Sequence, residues 1–180
     1  MPDHAREKAL EVWFQDEARV GQQCTITRIW ARKGTRPGAP RDIRYTWSYI
    51  FGAACPARGV AAGLVLPYVN AEAMSLHLAE ISKSIATGAH AIVVLDGAGW
   101  HGAKTLTVPP NITLIKLPPY APELNPMENV WAYLRANKFA ITVFDSFEQI
   151  VDKCAQAWTF FANNKNRIKS ITQRKWASVT

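Results

Sequence analysis

Residues 91–135 read AIVVLDGAGWHGAKTLTVPPNITLIKLPPYAPELNPMENVWAYLR. The run from Ala91 is apolar until it stops at the carboxylate of Asp96. A short continuous apolar run is the pattern of a buried strand, and this one delivers a single acid to a sheet edge. Asp96-Gly97 then turns the chain. A second strand is expected near 112–117, followed by a proline-rich corner and a helix. Asn125 is the expected N-cap of that helix, with Pro126 at its first position and Glu128 at its third. Asp96 and Glu128 therefore both sit at element boundaries, where a rigid scaffold presents chemistry. Each also has a plain structural reading. Asp96 favours the turn, and Glu128 is the acidic half of a capping box with Asn125.

Upstream, residues 12–15 read as a short strand that runs into Asp16-Glu17, a second place where an apolar strand ends on acid. A solvated turn is the alternative there. Residues 24–31 alternate loosely and suggest another strand. The segment 32–44, RKGTRPGAPRDIR, is a basic loop or hairpin tip. Its Arg32, Lys33, Arg36 and Arg41 are candidates for phosphate contact, since arginine offers paired donors to phosphate oxygens. A solvated basic loop is the competing reading. Trp30 and Trp47 flank the loop and can stack on bases, although aromatics in strands more often fill the core. Strands are expected over 44–54 and 59–66. A helix capped by Asn70 then follows, with Met74, Leu78, Ile81 and Ile85 on its inner face and Gly88 at its end. Residues 99–106 suggest a short helix carrying His101, which reads either as a site residue or as a surface histidine.

Downstream, Met127, Val130, Trp131 and Leu134 make the apolar stripe of the 125 helix. Arg135 lies seven residues beyond Glu128, about 10 Å along the helix axis, and is either a phosphate contact or a solvated charge. A last helix starts at Ser146 with Gln149 in a capping box, and buries Ile150, Val151, Cys154, Trp158 and Phe161. Residues 163–180 are polar and basic and read as a loosely held tail. The expected organisation is one catalytic domain over 1–162 and a basic C-terminal tail over 163–180.

Of the 180 residues, 48% are hydrophobic, enough for one ordered domain with a full core. The net charge of +7 suits a polyanionic partner. The three cysteines, Cys24, Cys55 and Cys154, show no paired spacing, which argues against a zinc site or a disulfide framework and fits a reducing cytoplasm. No signal peptide is visible, and the longest apolar stretch, 59–69, is too short and interrupted to span a bilayer.

Early strands with short loops followed by strand–helix alternation give an α/β fold, a mixed sheet covered by helices. If the strand of Asp16 lies beside that of Asp96, the two acids face each other, and a helix at the sheet edge can bring Glu128 to the same point. Three converging carboxylates need a cation to stay ionised. All-oxygen ligands favour Mg2+ or Mn2+, and two such ions suit in-line phosphoryl displacement.

The segments FQDEARVG, LDGAGWH and LPPYAPELNPMENVW followed by YLR resemble the catalytic core of bacterial insertion-sequence transposases of the mariner-like DDE superfamily. The resemblance runs from about Val12 to Phe161. It extends to the segment from Trp30, which is similar to a family pattern WAxKGxRP with Arg32 where proline is common. It implies a ribonuclease H-like fold. It also implies that Asp16, Asp96 and Glu128 are the catalytic, metal-binding triad for two Mg2+ or Mn2+ ions. The implied activity is metal-dependent cleavage and strand transfer of DNA, with insertion at a TA dinucleotide. The implied partners are double-stranded DNA, as element ends and as target, with a homodimer as a possible assembly and no membrane. The implied location is the bacterial cytoplasm, on the nucleoid when DNA is bound. Family members carry an N-terminal helix-turn-helix region. Here the first catalytic strand begins about a dozen residues from Met1, as expected of a second reading frame, a truncation or a decayed remnant. A catalytically silent DNA-binding or regulatory remnant is the alternative function.

Overall fold

The computed structural model describes residues 7–22, 31–35, 38, 44–99, 104–119, 121–140 and 142–174. Five strands form one sheet: β1 (Leu10–Gly21), β2 (Trp47–Cys55), β3 (Val60–Leu66), β4 (His90–Leu95) and β5 (Ile112–Lys116). Their spatial order is β3-β2-β1-β4-β5. β2 runs antiparallel to both neighbours, while β1, β4 and β5 run parallel. The helices are α1 (Ala71–Ser84), α2 (Met127–Asn137), α3 (Phe147–Ala162) and α4 (Lys165–Thr172).

Strand alternation divides the core in two. Phe14 and Ala18 of β1, Ile50 and Ala54 of β2 and Val94 of β4 face a cluster built by α2, α3 and α4. Trp13, Phe51, Val93 and Leu95 face the other side, against Met74, Leu78 and Ile81 of α1. The molecule is thus helix, sheet, helices, in three layers. β4 reads as a continuous apolar run because it is central and covered on both faces. At the far end of β1, the buried Glu11 accepts from Trp13 Nε1 at 2.9 Å, from Arg58 Nη1 at 3.0 Å and from Ala86 N–H at 3.0 Å. That ties β1 to the β2–β3 turn and to the chain entering β4.

Several boundaries differ from the sequence reading, for tertiary reasons. β1 does not end at Gln15. It continues to Gly21 because β2 pairs with it from Phe14 onward, and local sequence does not carry that long-range ladder. β2 begins at Trp47 rather than at Arg44, whose guanidinium instead donates to Phe144 O. α1 is capped by Asn70 as expected, with Oδ1 accepting from Ala73 N–H at 2.8 Å. It ends at Ser84, and Gly88 supplies a left-handed φ of 79° in the turn that follows. In α3, Ser146 caps Gln149 N–H at 3.3 Å, but the Gln149 side chain returns to Asp145 N–H. Val151 is only half-buried, while Ala157 joins the buried face.

The expected tail is the largest correction. Residues 165–172 form α4, and Ile168 and Thr172 are fully buried. Lys165 is exposed and Arg167 and Lys169 are half-buried around that anchor, and these three cations are why the segment reads as polar throughout. The strand expected over 24–31 and the helix expected around His101 lie mostly outside the described residues. Lys104 and Thr105, at the edge of the latter, form a turn. Among the described residues no helix is long and apolar enough to cross a membrane.

Candidate active site

The site begins with a register. β1 and β4 pair in parallel, Leu10 with His90 through Phe14 with Val94. The paired register stops two residues short of Asp96, which follows the last residue of β4 and is exposed. Asp16 lies on the same face of β1 as Phe14, and α2 covers that face. At this point β4 ends and β1 goes on with β2 alone. Asp16 therefore lies inside a strand, at the place where its parallel neighbour leaves it. The expectation that it closes a strand is therefore corrected, since Asp16 is interior to β1, the central strand, and pairs with Gly52 of β2.

α2 brings the third acid. Trp131, only 3% exposed, donates from Nε1 to Asp16 Oδ2 at 2.8 Å. Asn125, also buried, donates from Nδ2 to Gln15 O at 3.0 Å and accepts from Met127 N–H at 3.1 Å. Glu128 lies on α2 between these two anchors. α2 is assigned from Met127, one residue after the position at which Pro126 was expected to open it. The capping-box reading of Glu128 needs a bond from its carboxylate back to Asn125 N–H. No hydrogen bond or ion pair of the Glu128 side chain occurs among the described residues, and Glu128 is exposed. The turn reading of Asp96 does hold, since Oδ1 accepts from Ala98 N–H at 2.9 Å.

Asp16 is the electrostatic centre of the group. Burial pushes its carboxyl up from 3.8 to about 7. Hydrogen bonds from Trp131 and from the Glu17 backbone oppose that shift, and the charges of Glu17 and Glu128 add to it. Asp16 and Asp96 each take an N–H donor, Trp131 Nε1 and Ala98 N–H. Among the described residues, no three histidine, cysteine, aspartate or glutamate side chains converge closely enough to hold a metal ion. The residue types nevertheless suit a hard divalent cation. All are carboxylates, Asp16 within β1, Asp96 just past the end of the neighbouring β4, and Glu128 exposed on α2.

Of the basic residues expected to meet DNA, Arg32, Lys33 and Arg135 are among the described residues. Arg32 and Lys33 are exposed at a turn in which Thr35 N–H donates to Arg32 O at 3.0 Å. Arg135 is exposed near the end of α2. Arg36, Arg41, His101 and Trp30 lie outside the described residues. Trp47 is half-buried, and its ring centroid lies 5.2 Å from the Arg19 guanidinium carbon. Sequence reading missed the polar roles of Asn125 and Trp131, taking the first as a cap and the second as core. The signal was there for Trp131, because a buried indole N–H requires an acceptor.

The model of the DDE superfamily endonucleases matches residues 11–151. The chain belongs to the DDE superfamily of endonucleases. The uncharacterized protein y4pE/y4sA of Sinorhizobium fredii (strain NBRC 101917 / NGR234) is 52% identical over 131 residues, 73% of this chain and 97% of that protein. Among solved structures, the Mos1 strand transfer complex matches with a TM-score of 0.63 at 17% identity, covering 89% of this chain and 50% of that one. The Mos1 mariner paired end complex with Mn matches with a TM-score of 0.67 at 16% identity, covering 89% and 51%. The fold of this DDE domain is therefore ribonuclease H-like, a mixed sheet flanked by helices. The chain spans about half the length of the Mos1 chains it matches.

Proposed function

We propose that this DDE domain is the catalytic core of an insertion-sequence transposase, of the bacterial branch of the mariner-like group. It cuts DNA phosphodiester bonds and joins the resulting 3′-hydroxyl to target DNA. Asp16, Asp96 and Glu128 are its metal-binding acids. The observation that carries this reading is the hydrogen bond that ties Trp131 of α2 to Asp16 one turn after Glu128, supported by the parallel pairing of β1 with β4, the strand that leads to Asp96.

Two divalent ions, Mg2+ or Mn2+, would be held by the three carboxylates and would supply Lewis-acid stabilisation of the attacking and leaving oxygens. The protein's own part is positional. Asp16 comes from β1, Asp96 from just past the end of β4 and Glu128 from α2. The phosphates of the bound DNA backbone meet Arg32, Lys33, Arg36, Arg41, His101 and Arg135. Support for metal and DNA comes from the family, from the net charge of +7 and from the Mos1 complexes with Mn and with Mg. A homodimer gripping two DNA ends is the proposed assembly.

Glu128→Gln tests the reading. Glutamine serves a capping box as well as glutamate does, but a neutral amide is a far poorer ligand for a hard dication. The variant is expected to melt within a few degrees of the parent in EDTA. It should lose most of the metal-induced rise in Tm, which scales with binding, and it should lose nicking of supercoiled DNA while still binding DNA. Nicking at the parental rate would remove Glu128 from the site, with Glu123 on the preceding 3-10 turn the next acid to test.

A further inference from the structure

We propose that Asn125 and Trp131 are positioning residues that clamp the start of α2 to β1 on both sides of Glu128, and that two glycines make the clamp possible. The inference rests on the three acids being a metal-binding set, and it assigns residues outside that set.

Asn125 stands three residues before Glu128 and Trp131 three after. Their side chains bond to neighbouring residues of β1, Asn125 to the backbone oxygen of Gln15 and Trp131 to the carboxylate of Asp16. A helix tied at two points one turn either side of an acid cannot slide or roll without breaking a buried hydrogen bond. The position of Glu128 relative to Asp16 is therefore fixed by α2 itself, before any ion or DNA arrives. Metal affinity commonly depends on such supporting bonds to a ligand.

The sheet is shaped for the clamp. Asp16 pairs with Gly52 across β1 and β2, and Gly52 pairs with Gly63 across β2 and β3. The row opposite the acid is thus bare of side chains on the face where Trp131 and Trp158 lie. A Cβ on Gly52 would stand 2.6 Å from Trp131 Cη2 and 2.7 Å from Trp158 Cη2. A Cβ on Gly63 would stand 2.4 Å from Trp158 Nε1. The two indoles, with ring centroids 6.0 Å apart, sit directly on the backbone. Trp158 backs Trp131, so the Trp131 ring is held with its benzene edge over Gly52 and its N–H on Asp16. Neither glycine has a positive φ. Their role is the close approach of the rings.

The test compares the parent with Trp131→Phe, which keeps an aromatic ring over Gly52 but removes the donor, and with Asn125→Asp, which keeps the acceptor for Met127 N–H but removes the donor to Gln15 O. Each is measured for Tm in EDTA, for Mn2+ affinity by electron paramagnetic resonance, and for nicking. A clamp predicts a Tm in EDTA within about 5 °C of the parent for Trp131→Phe together with Mn2+ binding weakened by about tenfold or more. A merely structural tryptophan predicts the reverse, a lowered Tm with unchanged Mn2+ affinity in the folded fraction, and that result would overturn the proposal. A measurement on the parent stands in should the variants not fold. The assigned Trp131 indole N–H resonance should shift and saturate as Mg2+ is added, with the Kd that calorimetry gives for the same ion, and an unmoved resonance counts against the clamp. If the parent binds Mn2+ no better than Asp16→Asn does, the metal-site reading itself fails and takes this one with it. Parental Mn2+ affinity in Trp131→Phe, with Asp16→Asn impaired, sinks the clamp alone.

Discussion

At the scale of the residue, Asp16 is held at a cost to the fold. Its carboxyl sits half-buried beside Glu17 and Glu128, and burial raises it from 3.8 to about 7. Below about pH 4 the folded and unfolded chains both carry this proton. Between about 4 and 7 the unfolded chain releases it first, so the Asp16 contribution to stability falls as pH rises through that window. Asp16→Asn removes the titration and still offers an oxygen to Trp131 Nε1. In EDTA it should therefore melt above the parent at pH 8 and close to it at pH 4. A Tm difference that stays flat from pH 4 to 8 would contradict the assignment. Destabilising strain at a site that needs like charges together is the usual trade of function against stability.

At the scale of the element, α4 shows how composition alone misleads. Lys165, Arg167 and Lys169 make the segment look solvated, yet the helix is anchored by Ile168, which is fully buried in the cluster with α2 and α3. Its outer side is fastened too. The Arg167 guanidinium carbon lies 3.7 Å from the centroid of the Phe160 ring of α3, and Asn164 caps Arg167 N–H at 2.9 Å. Ile168→Ala should then cost roughly 2–4 kcal/mol, the range for emptying a buried aliphatic site. Urea unfolding followed by circular dichroism measures it. A loss under about 0.5 kcal/mol, the usual size of a surface change, would return the segment to the status of a tail.

At the scale of the whole molecule, the net charge of +7 predicts DNA affinity that is largely electrostatic. Arg32 and Lys33 are exposed, and neutralising them together with Arg36 should weaken binding to all sequences alike. Each basic side chain withdrawn from a phosphate should flatten the logarithmic salt dependence by about one unit. An unchanged slope in the triple variant would exclude the loop from the interface. The same scale separates what could be read from the chain and what could not. The apolar run ending at Asp96, the Asn70 and Ser146 caps and the stripe from Met127 to Leu134 follow from local periodicity and capping chemistry, and these determined the element order and the mixed sheet. The family motifs propose Asp16, Asp96 and Glu128 as the metal-binding acids, which Glu128→Gln tests. Only the tertiary structure decided that β1 runs on to Gly21, that Asn125 and Trp131 spend their polar atoms on β1, and that α4 packs into the core. Those features rest on partners distant in the chain, 110 residues away for Asn125 and 115 for Trp131. A strand's length is set by the neighbour that pairs with it, a helix's inner face by the sheet beneath it, and a bare glycine row by the rings that come to lie on it. None of these partners is encoded in the local spacing of residues.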